Sequence, residues 1–364
     1  MAARRPRRAV QVLAFVGALV ASVGLAEAAV RWLKPQAGTF TGHGMYVADP
    51  DLDYRLRPKH RWDDVSINEH GMRDGARALA KAEGRRRVLV LGDSFAFGSQ
   101  IDVDDGFARV LDRGLGDGVE VINSGTPGYS TVQQRTWLEK FGLAWEPDVV
   151  LVAFFVGNDV WENLGTRRVR VIDGEIVPID AETPSWLRRQ AMRLHLVRLL
   201  RSVVSGSGVQ AGGAPDRRRW YYEIEHRRMN VCRLPAAADP DLEPGWAAAR
   251  QELGRIKDLV APRPVVVLAI PDEFQVEGDL RRAVAAEFDL DLEDGSYDFD
   301  LPQRRLAEMC DDLGLPLVDP LADLRQRTLA GERLYLDFDS HWNVAGNRVA
   351  GELLARQSAL AALR

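Results

Sequence analysis

Arg87-Val88-Leu89-Val90-Leu91-Gly92-Asp93-Ser94-Phe95 is the stretch whose reading decides the fold. Aliphatic residues run into Gly-Asp-Ser with no polar break. A short apolar run bounded by glycine reads as a buried strand of a parallel sheet covered on both faces. A serine at the carboxyl end of such a strand sits where open α/β sheets bind their ligands. Gly92 permits a tight turn there, and the N–H groups of the next turn point at whatever the serine attacks. Asp93 supports that turn or the neighbouring loop. Gly-Asp-Ser also occurs in ordinary strand-to-helix turns, so the reading rests on the residues downstream of it.

Beyond Phe95 the chain alternates. The pattern predicts a helix over Phe107 to Leu115, a strand over Val119 to Ile122, a helix over Thr131 to Phe141 and a strand over Asp148 to Phe155. After a break it resumes with a helix over Ala247 to Val260, a strand over Pro264 to Ile270, a helix over Gln303 to Leu313 and a short strand over Leu315 to Val318. A last helix begins at about Ala345. This alternation implies βαβ units and a parallel sheet. Three loops stand out: Asn123-Ser124-Gly125-Thr126-Pro127-Gly128-Tyr129-Ser130, Gly157-Asn158-Asp159, and Asp337-Phe338-Asp339-Ser340-His341. In a parallel sheet they gather with Ser94 at one edge. Together they supply a nucleophile, a base, a carboxylate to orient the base, and two loops able to donate N–H groups. Acyl transfer through a serine needs this set, with no metal and no cofactor.

These four blocks, in this order, resemble the SGNH (GDSL-type) hydrolases over roughly Arg87 to Ala350. The resemblance implies a flavodoxin-like three-layer α/β/α fold with a parallel central sheet, and ester or acyl-transfer chemistry. It assigns Ser94 as nucleophile, His341 as base, and the Ser94 N–H, Gly128 and Asn158 as the oxyanion hole. The family usually places its aspartate three residues before the histidine, and Phe338 stands there. Asp339 lies two before His341 and Asp337 four before. The Asp-x-His-Trp form resembles the branch containing periplasmic polysaccharide O-acetyltransferases such as those acting on alginate, which favours Asp339 and leaves Asp337 a rival. Residues two apart in an extended segment point the same way, which suits the Asp339–His341 contact. Three functions are compatible with this set: hydrolysis of an acyl or acetyl ester, with a cell-surface glycan as one candidate substrate; transfer of the acyl group to an exported polysaccharide; or a non-catalytic envelope scaffold.

The N-terminus carries Arg4, Arg5, Arg7 and Arg8, then an uncharged apolar run from Ala9 to Ala26. That length approaches the roughly 20 residues of a transmembrane helix. The reading is a retained signal anchor over residues 1–34 with an extracytoplasmic catalytic domain, periplasmic in a Gram-negative cell; Ala26-Glu27-Ala28 leaves cleavage and secretion as the alternative. Residues 35–86 read as an irregular collar and 87–364 as the catalytic domain, interrupted by an insertion or lid at about 163–244. Within the collar, Asn68-Glu69-His70-Gly71-Met72-Arg73 reads as a structural turn capped by Asn68. Within the insertion, Trp186 to Val204 is basic and amphipathic, suited to an anionic membrane or to the domain surface, and Ser205 to Pro215 is a Gly/Ser-rich linker. The net charge of −5 argues against a nucleic-acid binder. Cys232 and Cys310 are too few for a zinc site or a disulfide framework. Trp342 is expected to pack, and His43, His60, His70, His195 and His226 have no partner motif.

Overall fold

The computed structural model describes residues 5–33, 44–62, 65–165, 169–180, 191, 194–204, 217–234, 239–240 and 242–364. The chain divides into two compact units, Met1–His43 with Asp180–Arg217, and Gly44–Ile179 with Arg218–Arg364.

The smaller unit is built on one helix, Arg5–Leu33. Its Val10–Leu33 portion is long and apolar enough to cross a membrane. The helix His195–Val204 packs on it. The backbone N–H groups of His195 and Leu196, at that helix's start, donate to the Glu27 carboxylate at 3.0 and 2.8 Å. The first N–H groups of a helix point out of its own hydrogen-bond ladder, and here a carboxylate from a neighbour accepts two of them as a cap would. The expected amphipathic stretch is thus helical from His195 onward; residues 186–190 and 192–193, and the linker 205–215, lie outside the described residues.

The larger unit is organised by five parallel strands: β1 (Arg86–Leu91), β2 (Val119–Asn123), β3 (Val149–Phe155), β4 (Val265–Ile270) and β5 (Leu317–Val318). Their order across the sheet is β5-β4-β3-β1-β2, the flavodoxin-like arrangement expected from the sequence. Alternate residues of each strand enter different apolar clusters. Leu89, Val150, Val152 and Val267 pack with Trp246, Leu253 and Leu306, while Val88, Val90, Leu151 and Leu268 pack with Leu111, Leu324 and Leu354. Helices therefore cover both faces, and β3, central and buried at every position, reads as a continuous apolar run for that reason. The strand order reverses between β1 and β3, and the crevice above that switch point is where this architecture binds ligands.

Several boundaries differ from the sequence reading. The helix expected from Ala247 begins at Leu242, because Pro244 falls in its first turn, where a missing N–H costs nothing. The helix from Thr131 ends at Trp137 and loosens into a π-turn over Leu138–Gly142. The first part of the expected irregular collar is ordered: it holds two antiparallel pairings, Tyr46–Asp49 with Asp53–Leu56 and Arg61–Trp62 with Val65–Ser66, whereas 67–85 are turn and coil. Tyr46, Tyr54, Leu56 and Met72 join the apolar cluster that contains Leu89. Strands of two to four residues are too short to show an alternating pattern. The insertion is likewise no separate lid over its last part: helix Arg217–Arg228 and the turn Met229–Cys232 place Tyr221, Met229, Val231 and Cys232 in that same core. Cys232 and Cys310 are both buried and unbonded.

Candidate active site

Ser94 opens a single helical turn, Ser94–Phe97, directly after β1. Asp93 caps it: its Oδ1 accepts the Phe95 N–H at 2.9 Å. Gly98 ends it in the left-handed conformation at φ 62°, its N–H donating to the Ser94 carbonyl at 2.8 Å. A Cβ on Gly92 would stand 2.8 Å from the Cβ of Ala96 and 3.0 Å from that of Ala153, so the turn lies too close to β3 for any side chain there.

The loop after β2 is laid against this turn. Ser124 N–H donates to Val90 C=O and Thr126 N–H to Gly92 C=O, both at 3.0 Å. A Cβ on Gly125 would lie 2.6 Å from the Phe97 nitrogen. Gly128, three residues on, has φ 76°, which L side chains rarely adopt. Tyr54 of the first hairpin fixes the neighbouring residue by donating its hydroxyl to Pro127 C=O at 2.8 Å.

Asn158 follows β3 and precedes the short helix Asp159–Glu162. Its side-chain amide donates to Asp93 Oδ2 at 3.4 Å. Asp159 turns back to accept the Phe155 N–H at 2.7 Å. Asp93 and Asp159 are both wholly buried. Burial pushes the Asp93 carboxyl up from its ordinary range, against the opposing pull of the Phe95 N–H. Burial, and then the charge of Asp93, pushes Asp159 well above it.

His341 arrives from the C-terminal loop. Its Nε2 lies 2.8 Å from Ser94 Oγ, and its Nδ1 lies 2.5 Å from Asp339 Oδ1. Asp337 instead pairs with Arg333 at the surface. Phe95 presents its ring to the imidazole at 4.7 Å and to Trp342 at 5.3 Å; Trp342 is buried packing, as expected. Asn343, two residues after His341, caps the helix Val344–Arg356 by accepting the Ala345 and Gly346 N–H groups at 2.8 and 3.1 Å.

The segment carrying Asp339 and His341 is not extended, contrary to the sequence reading. Phe338 and Ser340 both have left-handed backbone, at φ 54° and 55°. Asp339 and His341 meet because the chain turns around Ser340, not because alternate residues of a strand share a side.

Two neighbours carry no motif that single-sequence reasoning identifies as part of the site. Gln100 Nε2 reaches Asp339 Oδ1 at 3.3 Å and His341 Nδ1 at 3.1 Å. Arg73, in the Asn-x-x-Gly-x-Arg turn, donates to the carbonyls of Phe97, Gly98 and Ile101 at 2.9, 2.5 and 2.7 Å, and so holds the loop that presents Gln100. The arginine at the end of that turn was the available signal. Among the described residues no group of three or more His, Cys, Asp or Glu is placed to hold a metal ion.

The arrangement suits acyl transfer: a hydroxyl against an imidazole, the imidazole against a carboxylate, and two loops laid against the turn that Ser94 opens. Residues 90–349 match the model of the GDSL-like lipase/acylhydrolase family. Among solved structures, a lipase/acylhydrolase from Enterococcus faecalis is 13% identical, covering 75% of this chain and 95% of its own, with a TM-score of 0.39. A catalytic mutant of an acetylxylan esterase from Geobacillus stearothermophilus is 15% identical, covering 76% and 96%, with a TM-score of 0.40. A member of the lipolytic G-D-S-L family from Veillonella parvula is 11% identical, covering 74% and 95%, with a TM-score of 0.38. No curated protein matches.

Proposed function

The chain belongs to the GDSL-like lipase/acylhydrolase family, and from that premise we propose that it is a serine-dependent ester hydrolase using Ser94, His341 and Asp339. The contact that carries this reading is the 2.8 Å approach of His341 Nε2 to Ser94 Oγ, with Asp339 behind the ring. Ser94 Oγ attacks the ester carbonyl while His341 Nε2 takes its proton; the carbonyl π pair moves onto oxygen. Asp339 accepts the Nδ1 hydrogen, fixing the tautomer and stabilising the imidazolium that forms. The oxyanion is held by the N–H groups of Ser94 and Gly128 and by the Asn158 amide. Collapse of this intermediate breaks the bond to the leaving alkoxide, which takes the proton from His341. Water then attacks the acyl-enzyme with His341 again as base, releasing the acid and restoring Ser94.

The substrate class is an acyl or acetyl ester, and acetylated glycans are the first to try. We place the catalytic unit outside the cytoplasm, anchored by the apolar helix Val10–Leu33, since the arginines that precede the apolar run favour the cytoplasmic side. The test is turnover of 4-nitrophenyl acetate and of acetylated xylan and alginate by the wild type and by Ser94→Ala. Release of acetate by the wild type alone supports hydrolysis. Acetyl appearing on an added sugar acceptor would point instead to an O-acyltransferase. No turnover on any ester would leave the scaffold reading.

A further inference from the structure

The turn around Ser340 needs something to hold it. The His341 N–H donates to the Asp339 carbonyl at 2.7 Å, closing a three-residue turn with Ser340 at its centre. Left-handed backbone at a residue bearing a Cβ is strained, because the Cβ crowds the following carbonyl oxygen. It persists where the surroundings over-determine it, often at functional sites. Here two such residues, Phe338 and Ser340, flank Asp339.

The surroundings come from the helix Arg217–Arg228, at the end of the insertion. Ser340 Oγ donates to Glu225 Oε1 at 2.6 Å and accepts from Arg228 Nη1 at 2.8 Å. Arg228 also meets Glu225 directly at 3.1 Å and stands 3.8 Å from Asp272, just past β4. Its guanidinium lies over the Phe155 ring at 5.0 Å. Glu225 and Asp272 are wholly buried. One turn back along the same helix, Tyr221 meets Phe338 edge-on at 5.8 Å and donates its hydroxyl to Glu273. The helix therefore grips both left-handed residues. Buried ion pairs are often no better for stability than packed apolar side chains of similar volume. What the charged pair adds is direction: a donor and an acceptor that fix one hydroxyl.

We propose that Arg228 and Glu225 are positioning residues for His341, acting through Ser340 to hold the turn that keeps the imidazole between Ser94 and Asp339. This rests on the esterase reading above, and it gives the end of the insertion a task in catalysis.

The test is steady-state kinetics of full-length Ser340→Ala, Arg228→Gln, Arg228→Lys and the double variant on 4-nitrophenyl acetate, with urea unfolding of each. Ser340→Ala is expected to lower kcat about 10- to 100-fold, the cost of a misplaced group. KM should stay within about twofold, because the lost interaction acts on the transition state. Arg228→Gln should lower kcat similarly, Arg228→Lys should recover part of it, and the double variant should be no worse than the weaker single, since both act through one hydroxyl. A wild-type kcat in Ser340→Ala, losses that add in the double variant, or a change confined to KM would overturn the proposal. Should the Arg228 variants not fold, Ser340→Ala decides alone, because it deletes a single hydroxyl. A wild type without turnover would instead refute the esterase reading, a result distinct from an active enzyme indifferent to Ser340.

Discussion

Asn158 donates its side-chain amide to the buried carboxylate of Asp93 across 3.4 Å, tying the loop after β3 to the residue preceding Ser94. The proposed oxyanion donor is thereby oriented from below. Asn158→Ala should lower kcat by about 10²–10³, the usual cost of one oxyanion donor. Unfolding by urea should change little, since Asn158 makes few other bonds. Equal kcat in wild type and variant would remove Asn158 from the oxyanion hole.

Asp339 and Asp337 answer to different partners, one to His341 and the other to Arg333. Asp339→Asn should reduce kcat by up to about 10⁴, as loss of the orienting carboxylate does in serine triads. Asp337→Asn exchanges one exposed ion pair, worth about 1 kcal/mol or less, and should leave kcat near wild type. The reverse ranking would exchange the two assignments.

The parallel strands were legible because apolar runs such as Val88–Leu91 and Val149–Phe155, bounded by turn residues, read as buried strands, while the flavodoxin-like arrangement came from the resemblance carried by the Ser94, Asn158 and His341 blocks. What was not legible depends on contacts between distant residues. Tyr54 enters the core from a strand too short to show a period, and Met72 from a turn-and-coil segment with no period at all. Gln100 and Arg228 are ordinary polar residues in sequence and join the site only because the fold brings residues 239 and 112 positions away beside them. The turn at Ser340 was misread as extended, since left-handed backbone at a serine has no sequence signature. Asp339 nevertheless lies against His341, by a different geometry.

Arg73 supplies the hydrogen bonds for three carbonyls at the end of the Ser94 turn. Arg73→Met should destabilise the fold by about 1–3 kcal/mol, the cost of leaving the buried Phe97 carbonyl unmatched. The midpoint of urea unfolding measures it. An unchanged midpoint would mean that water replaces the guanidinium there.

Glu273 couples stability to pH. Burial raises its carboxyl from 4.5 to about 8, overriding the Tyr221 hydroxyl that pulls the other way. A folded-state pKa above the unfolded one means that the native protein holds the extra proton between those values. The contribution is therefore complete below about pH 4.5 and is lost as pH rises through about 8. Glu273→Gln removes that dependence, so its stability relative to wild type should be higher at pH 9 than at pH 5. Parallel urea curves at both pH values would contradict this.

Removing residues 1–34 tests the anchor. The shortened protein should appear in the soluble fraction, while the full chain sediments with membranes and resists extraction by high salt. A full chain that is already soluble and shortened at its N-terminus would favour a cleaved signal.

The central claim is that Ser94 is a nucleophile primed by His341. Incubation of the intact protein with a fluorophosphonate, followed by peptide mass spectrometry, tests it most directly. The adduct should map to Ser94 in the wild type, fall sharply in His341→Ala and vanish in Ser94→Ala. An unlabelled wild type, or label on another serine with ester turnover intact in Ser94→Ala, would contradict it.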